Sequence, residues 1–394
     1  MFSAYRRILA VPGALPFTTA GAVGRLPLSM TGLGIVLLVS NRTGDYAPAG
    51  ALSAVYVLVA AAFAPIQGRL SDRWGQAPVL VAAGGLCAAG ITGMLLVVDH
   101  SWPAAVAAAA VTGIGAPQTG NLVRARWTHL LRQDRDRLQT AFALEAVWDE
   151  VVFIVGPVLV TVLTLSALDW SGLAVAGACA LVGAWGLAAQ RSTQPPPRGG
   201  PAGEHPPLPW GRLGLLVAGA GGLGLLFGSA EVLVVAFTDE RGQKSLAGLV
   251  LATWSLGSLA AGLVVGALPA PREGVTRLRR TTLGLLVLFA PLPFAPNTGV
   301  LAVGFLLAGL MVAPTLITVV HLVELTTPAT RLTEALTWLT TGMSTGVAAG
   351  AALAGVLVDQ RGAAVGFVLP IAAALLTALV AWCYPRAADP APVR

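Results

Sequence analysis

The sequence predicts an all-α membrane protein with twelve transmembrane helices in two pseudo-symmetric six-helix halves. Three observations carry that expectation. Apolar residues fill 56% of the 394 positions and charged residues only 11%, with a mean hydropathy of +0.77, far from the balance of a soluble globular chain. Apolar runs of about 20 residues, the length a helix needs to cross a bilayer, recur along almost the whole chain. Residues 190–211 gather seven prolines and several glycines, a composition that cannot continue a helix and reads as a linker.

The runs are read as helices because backbone in lipid must satisfy its own hydrogen bonds. The first, 14–39, follows Arg6-Arg7 as a signal peptide's apolar core would, but Arg25 interrupts it and Pro12, Pro16 and Pro27 disturb it. It is therefore expected to be an uncleaved helix. The second and third runs, 48–68 and 77–98, flank a short charged loop. The fourth and fifth, 103–126 and 139–166, are joined by Arg124 to Arg137, whose seven charges read as a solvated loop near anionic headgroups. The sixth, 171–189, ends at the linker. Beyond it come 212–237, 245–268, 280–296, 299–322, 333–358 and 363–384, with Pro291, Pro293 and Pro296 crowding the end of the ninth. The domains are thus 1–189 and 212–394, joined by the cytoplasmic linker 190–211.

The halves echo each other. Gly21, Gly24, Gly50 and Gly68 recur as Gly219, Gly222, Gly248 and Gly266 at one offset of 198. Ala116-Pro117 matches Ala313-Pro314, and the spacing of Leu138, Ala141 and Gly156 matches Leu332, Ala335 and Gly350. Abundant Gly and Ala suit close helix packing in a bilayer.

Basic residues set the expected orientation. With both termini in the cytoplasm, 19 of the 24 Lys and Arg fall on inner segments, four on outer loops, and Arg25 lies inside the first span. The same bias explains the pI near 9.9 without nucleic acid, since the arginines are dispersed and lack an aromatic reading surface. Cys87, Cys179 and Cys383 fall in apolar spans with neither disulfide nor metal spacing. No phosphate-cradling Gly-Lys-Ser loop occurs and Ser, His and Asp are scattered, so neither an enzyme, an ATP-driven pump nor a cofactor is expected.

The loop after the second run reads Gly68-Arg69-Leu70-Ser71-Asp72-Arg73-Trp74-Gly75. Small residues permit a sharp turn, and charges at a helix end sit in water or against a neighbouring helix end. Gly68, Asp72, Arg73 and Gly75 resemble the cytoplasmic loop between helices 2 and 3 of major facilitator superfamily transporters, although Gln76-Ala77 stands where that family carries a base. The resemblance covers essentially the full length. It implies a substrate cavity between two halves and alternating access by rocking of one half against the other. Drug-proton antiporters of the superfamily carry an Arg in helix 4, where this chain has Ala109. They also carry Gly-Pro, two residues and Gly-Gly in helix 5, of which it keeps Gly156-Pro157 but has Val160-Thr161.

Charges inside the membrane are the leading site candidates, because each costs roughly 2.5 to 3.5 kcal/mol at mid-bilayer on insertion scales. Arg25 in the first span and Glu145, Asp149 and Glu150 in the fifth lie at similar depths, roughly 9 to 17 Å from the inner surface at 1.5 Å per residue. Glu145 and Asp149 share a helix face and Glu150 points about 100° away. Two readings stand: a carboxylate that carries the coupling proton with Arg25 as its counter-ion, or a permanent salt bridge between the two helices. Gly156-Pro157 removes a backbone donor and is expected to bend its helix, for gating or for packing. Gln118 and Asn121, with Trp254 and Trp338, are candidate cavity-lining residues, helix packing being the alternative. Glu231, with Asp239 and Glu240 nearby, reads as a wetted rim residue, a substrate ligand being the alternative.

The expected function is secondary active transport, as proton-coupled efflux of a small amphipathic or hydrophobic compound from a cell (plasma or inner) membrane, by a monomer whose partners are lipid, substrate and protons. Uptake or exchange of a sugar or organic acid is the alternative within transport. A non-transporting scaffold or sensor is the alternative of another class.

Overall fold

The computed structural model describes residues 2–166, 168–197, 208–266, 274–328 and 331–385, and the described residues contain helices and no strand. In chain order the helices are α1 (Phe2–Leu9), α2 (Ala14–Thr43), α3 (Tyr46–Trp74), α4 (Gln76–Val97), α5 (Trp102–Ile114), α6 (Thr119–Leu130), α7 (Arg135–Ser166) and α8 (Ser171–Ala189), then α9 (Trp210–Asp239), α10 (Ala247–Gly266), α11 (Gly274–Phe289), α12 (Thr298–Thr326), α13 (Leu332–Gly366) and α14 (Val368–Cys383). Nine of these are long and apolar enough to cross a membrane, and α5 with α6, α11 and α14 supply the remaining three crossings. Local chemistry marks the ends. Gly44 closes α2 in the left-handed conformation, at φ 79°, with its N–H on the Ser40 carbonyl. The Asn297 side chain caps α12 by accepting from the Val300 N–H at 2.9 Å.

Several expected boundaries move. The fourth run is not one helix: α5 stops at Ile114 and α6 starts at Thr119, because Pro117 follows Gly115 and the freed carbonyls find another partner. Gln67 of α3 donates to the Ile114 and Ala116 carbonyls at 2.8 and 3.1 Å. The matching Ala313-Pro314 stays inside α12, so one dipeptide has two outcomes. The ninth run ends at Phe289, seven residues early, where Pro291 and Pro293 turn the chain into a short 3-10 segment. The eleventh run extends past 358 to Gly362, whose φ of 80° and ψ of 169° leave the helical region, and residues 363–366 make a short helical turn that leads into α14, close to the expected start at 363. The start of the chain forms α1, which tucks Ile8 against Phe17 and Trp127. Of the linker, 198–207 lie outside the described residues.

The helices pack as two groups, α2–α8 and α9–α14, that meet along two crossings, α3 on α13 and α7 on α10. At both crossings a glycine lets backbones touch. A β-carbon on Gly50 would collide with the Ala351 carbonyl oxygen, and one on Gly248 would collide with that of Pro157. These glycines are one of the pairs related by the offset of 198, so the sequence echo marks a symmetric seam.

The bundle has two unlike ends. One carries the arginine-rich turns and is called the basic face. The other carries Asp45, Asp99, Asp169, Asp239 and Asp359 and is called the acidic face. Hydrogen bonds across the seam occur at the acidic face, where the Tyr46 and Ala47 N–H groups donate to Asp359 at 2.8 and 2.7 Å and the Tyr46 hydroxyl donates to Asp239 at 2.7 Å. Toward this face the buried apolar side chains form one body shared by both groups, including Val36, Tyr56, Leu233 and Ala351. Toward the basic face they form two separate bodies, one around Phe17, Trp127 and Leu187 and one around Leu213, Leu278 and Val319. The two groups are therefore joined at the acidic face and part toward the basic face.

Arg42 clasps the acidic face of the first group, donating to Asp169 at 2.6 Å and Asp99 at 2.5 Å. The hydrogen bond from Arg42 holds the Asp169 carboxyl below the usual carboxylate range, against the opposing effect of burial. A depressed carboxyl adds stability that is present above its unfolded pKa of about 3.9 and lost as pH falls through the folded value. Asp169→Asn is thus expected to lower the melting temperature in detergent by a constant amount from about pH 8 to about pH 5, the gap closing only below about pH 4. A gap that changed near neutral pH would remove the clasp from that role. Gly50→Val and Gly248→Val are each expected to cost about 1–3 kcal/mol by thermal unfolding, since backbone must move to admit the side chain. Gly68→Ala, with nothing within 4 Å of the new methyl, is expected to leave stability unchanged or raise it.

Candidate functional site

Three helices of the first group bring the intramembrane charges together. Arg25 of α2 is 3% exposed and Glu145 of α7 is 0% exposed, and the two form an ion pair. The second Glu145 oxygen accepts from the Trp127 indole N–H of α6 at 2.8 Å, so both carboxylate oxygens are occupied. One turn along the same face of α7, Asp149 lies 3.6 Å from the Arg25 Nε and pairs through its other oxygen with Arg124 of α6. Asp149 is 34% exposed, which separates it from the sealed Glu145. Glu150 is half-buried and has no ion pair or hydrogen bond among the described residues. Arg25 also keeps its Nη1 buried without a hydrogen-bond partner. The arrangement links a locked buried pair to a shared, wetted carboxylate and then to an unpartnered one.

The contribution of α6 was not apparent from the sequence. Arg124 and Trp127, three residues apart and thus on one helical face, reach Asp149 and Glu145 because the break at Pro117 starts a new helix there. The segment Arg124 to Arg137 is not a solvated loop throughout. Arg126 is fully buried, donating to Gln76 at 2.8 Å, to the Gln190 carbonyl and the Thr193 hydroxyl at 2.8 Å each, and to the Leu187 carbonyl at 2.9 Å. It thereby satisfies the last carbonyls of α8 and fixes the start of the linker.

The expected loop is helical as far as Trp74: Gly68, Asp72 and Arg73 lie in the last turns of α3, which runs six residues past the expected end at 68, and Gly75 makes the turn into α4. Asp72 and Arg73 are exposed, and neither has a partner among the described residues. Gly75 has φ 87° and sits so close to Gln194 that a β-carbon would lie 2.5 Å from its amide nitrogen. Gln194 in turn accepts from the Ala77 N–H at 3.1 Å. Gly68 faces open space inside α3.

Gly156 and Pro157 sit where α7 crosses two neighbours, and α7 continues through Pro157 as a single helix of 32 residues. A β-carbon on Gly156 would strike the Ser29 hydroxyl of α2, which donates to the Val152 carbonyl at 2.8 Å. Gln118 and Asn121 occupy the α5–α6 break, where Asn121 is exposed and donates to Gln118 at 3.4 Å. Trp254 is 5% exposed and packs among Phe227, Phe289 and Phe305. Trp338 is 42% exposed, edge-on to Trp210 at 5.3 Å. The structure does not bring these four residues together.

Glu231 corrects the sequence reading. Asp239 and Glu240 do stand at the rim, where Glu240 accepts from the Ala363 N–H at 2.7 Å. Glu231 lies two helical turns deeper and faces α2, its carboxylate oxygens 3.2 and 3.6 Å from where a β-carbon on Gly32 would be.

Truncating one partner of a buried ion pair strands the other charge at a cost of about 3–5 kcal/mol, whereas replacing both with apolar groups of similar size is close to neutral. Glu145→Leu is therefore expected to destabilise the protein strongly in thermal unfolding, and the double variant Arg25→Met, Glu145→Leu to recover most of the loss. Additive losses would show that the pair is not coupled.

The comparisons agree with this architecture. The family model described as Major Facilitator Superfamily matches residues 18–298 and 216–394. Among solved structures, the nucleoside transporter NupG superposes with a TM-score of 0.68 at 14% identity, over 94% of this chain and 98% of that one. The human organic anion transporter MFSD10 (TETRAN) gives 0.61 at 19% identity, over 94% and 100%. An auto-inhibited POT family peptide transporter gives 0.67 at 13% identity, over 97% and 98%. No curated protein sequence matches this chain. Those identities carry the fold alone; the family rests on the model match, which spans nearly the whole length. The chain belongs to the Major Facilitator Superfamily of membrane transporters.

Proposed function

We propose that the protein exports a small amphipathic or hydrophobic compound in exchange for protons by alternating access. The observation that carries this reading is the asymmetry of the core, one apolar body toward the acidic face and two separate ones toward the basic face. Alternating access requires two bodies that part at one membrane face while closed at the other. With the basic face in the cytoplasm, as the distribution of arginines favours, both termini are cytoplasmic and this conformer opens inward. The rocking bodies are residues 1–189 and 212–394 with 190–211 as linker, acting as a monomer in the cell membrane. Asp72 and Arg73, unpartnered in this conformer, engage the facing helix ends when the cytoplasmic side closes.

Glu145 is the structural member of the charge network, because both of its oxygens are held. Asp149, wetted and shared between Arg25 and Arg124, and Glu150, without a partner, are the coupling carboxylates. The retained Gly156-Pro157 supports the efflux direction, and the commitment of Arg25 to Glu145 weighs against its use as a receptor for an organic acid.

In proteoliposomes with an acidic lumen, exchange is expected to accumulate substrate inside as protons leave, whichever way the protein is inserted. Accumulation only with an alkaline lumen would mean co-transport and overturn the exchange reading. Asp149→Asn and Glu150→Gln are expected to abolish pH-driven accumulation in at least one case while downhill flux persists; if both retain it, these carboxylates are not the coupling groups. Asp72→Asn is expected to slow turnover and to favour labelling of cysteines placed on the basic-face side of the seam. Unchanged rate and labelling would remove the loop from the switch.

A further inference from the structure

One carboxyl of the second group lies well inside a membrane span, away from both faces. Glu231 of α9 has no hydrogen bond or ion pair among the described residues. It is not exposed, and it faces the seam between the groups, where it packs closely against Gly32 of α2, a β-carbon there falling 3.2 Å from one carboxylate oxygen and 3.4 Å from the Ser53 hydroxyl of α3. An ionised carboxylate so placed costs several kcal/mol unless a positive charge joins it.

The surrounding helices supply no such charge. Arg212 and Asp239 stand at the two ends of α9 itself. No ionisable side chain occurs on α10, and only Cys383 on α14. His321 and Glu324 of α12 lie at the basic face, while Glu334, Asp359 and Arg361 of α13 lie at its two ends. On α2, Arg25 is held by Glu145 and Arg42 by Asp99 and Asp169. From α3, Tyr56 is the titratable group within electrostatic reach of Glu231. Lys244, on the short 3-10 turn packed against α9, pairs with Asp239, so the Glu231 carboxyl is left either to hold a proton or to meet a cation from outside the protein.

The aromatic residues beside the carboxylate limit what that cation is. Phe227 precedes Glu231 by four residues and shares its helix face. Its ring stacks on Trp254 at 4.6 Å and 26°, and Phe289 and Phe305 brace Trp254 edge-on at 5.9 and 5.3 Å. The Trp254 indole N–H is buried without a partner, a second unmet polar group. A carboxylate one helical turn from an aromatic cluster suits an organic cation, whose diffuse charge the rings attract and whose weak hydration is cheap to remove. A small hydrated metal ion would find one carboxylate where several oxygens are needed.

We infer that Glu231, with Phe227 and Trp254, forms a binding site for the charged group of a lipophilic monocation. This deepens the transport reading by naming the substrate class, and it rests on that reading for its role in transport.

The test is equilibrium binding of tetraphenylphosphonium to the purified full-length protein, with tetraphenylborate as a probe of like shape and opposite charge. Binding of the phosphonium, not the borate, is expected, with affinity falling as pH drops and the carboxyl takes up a proton. Glu231→Gln is expected to weaken it by roughly tenfold or more and to flatten the pH dependence. Glu231→Asp is expected to keep the pH dependence at lower affinity, and Phe227→Leu to weaken binding without flattening it. Asp134→Asn, in the basic-face turn, serves as a control alongside monodisperse elution of each variant. No phosphonium binding to the unaltered protein, equal affinity in Glu231→Gln, or preference for the borate would overturn the assignment. Cation binding without flux in vesicles would keep the site and remove the transport reading; flux of neutral compounds without cation binding would do the reverse.

Discussion

The rest of the structure depends on how closely two helix backbones approach at the seam. In lipid there is little hydrophobic gain in bringing two apolar helices together, so association relies on packing, and packing is tightest where no side chain intervenes. Gly50 against Ala351 and Gly248 against Pro157 provide that contact at two symmetric crossings. Both lie toward the acidic face, and the Tyr46, Asp239 and Asp359 hydrogen bonds reinforce them there. Because the joints are at one end, the two groups are free to part at the other. A shared core at one face and divided cores at the other follow from where these glycines fall along their helices.

The charges are organised around the same asymmetry. In the first group, Arg25, Glu145 and Trp127 tie α2, α6 and α7 into one unit, and Asp149 and Arg124 extend the network about one helical turn farther from the basic face. In the second group a single carboxylate, Glu231, faces the seam without a partner. One body thus carries charges that neutralise each other, and the other carries a carboxyl without a partner among the described residues.

Much of this was legible before any coordinates. The twelve crossings follow from apolar runs of membrane length, and a boundary held where a side chain capped the helix, as at Asn297, whereas α2 ran four residues past its expected end to the cap at Gly44. Boundaries failed where proline acted in context. Ala116-Pro117 breaks its helix because Gln67 from α3 is placed to receive the freed carbonyls, whereas Ala313-Pro314 remains helical. The flanks differ as well, Gly113 and Gly115 preceding Pro117 where Leu310 and Val312 precede Pro314. The membership of Arg25, Glu145, Asp149 and Glu150 in one region was readable from depth alone, but the participation of Arg124 and Trp127 depends on the angle at which α6 leaves that break.

The sequence by itself determined the class of the protein, the count of crossings, the bias of charge to one face and the two-fold echo, because composition, run length and glycine spacing act locally along each helix. Only the tertiary structure decided which buried charges are satisfied. Arg126 became a fully paired core residue, Glu231 an unpaired one at the seam, and Glu145 a locked partner of Arg25. The reason is physical: the cost of a charge in a membrane is set by the groups that meet it from other helices, and those meetings are fixed by packing across the bundle, not by neighbours in the chain.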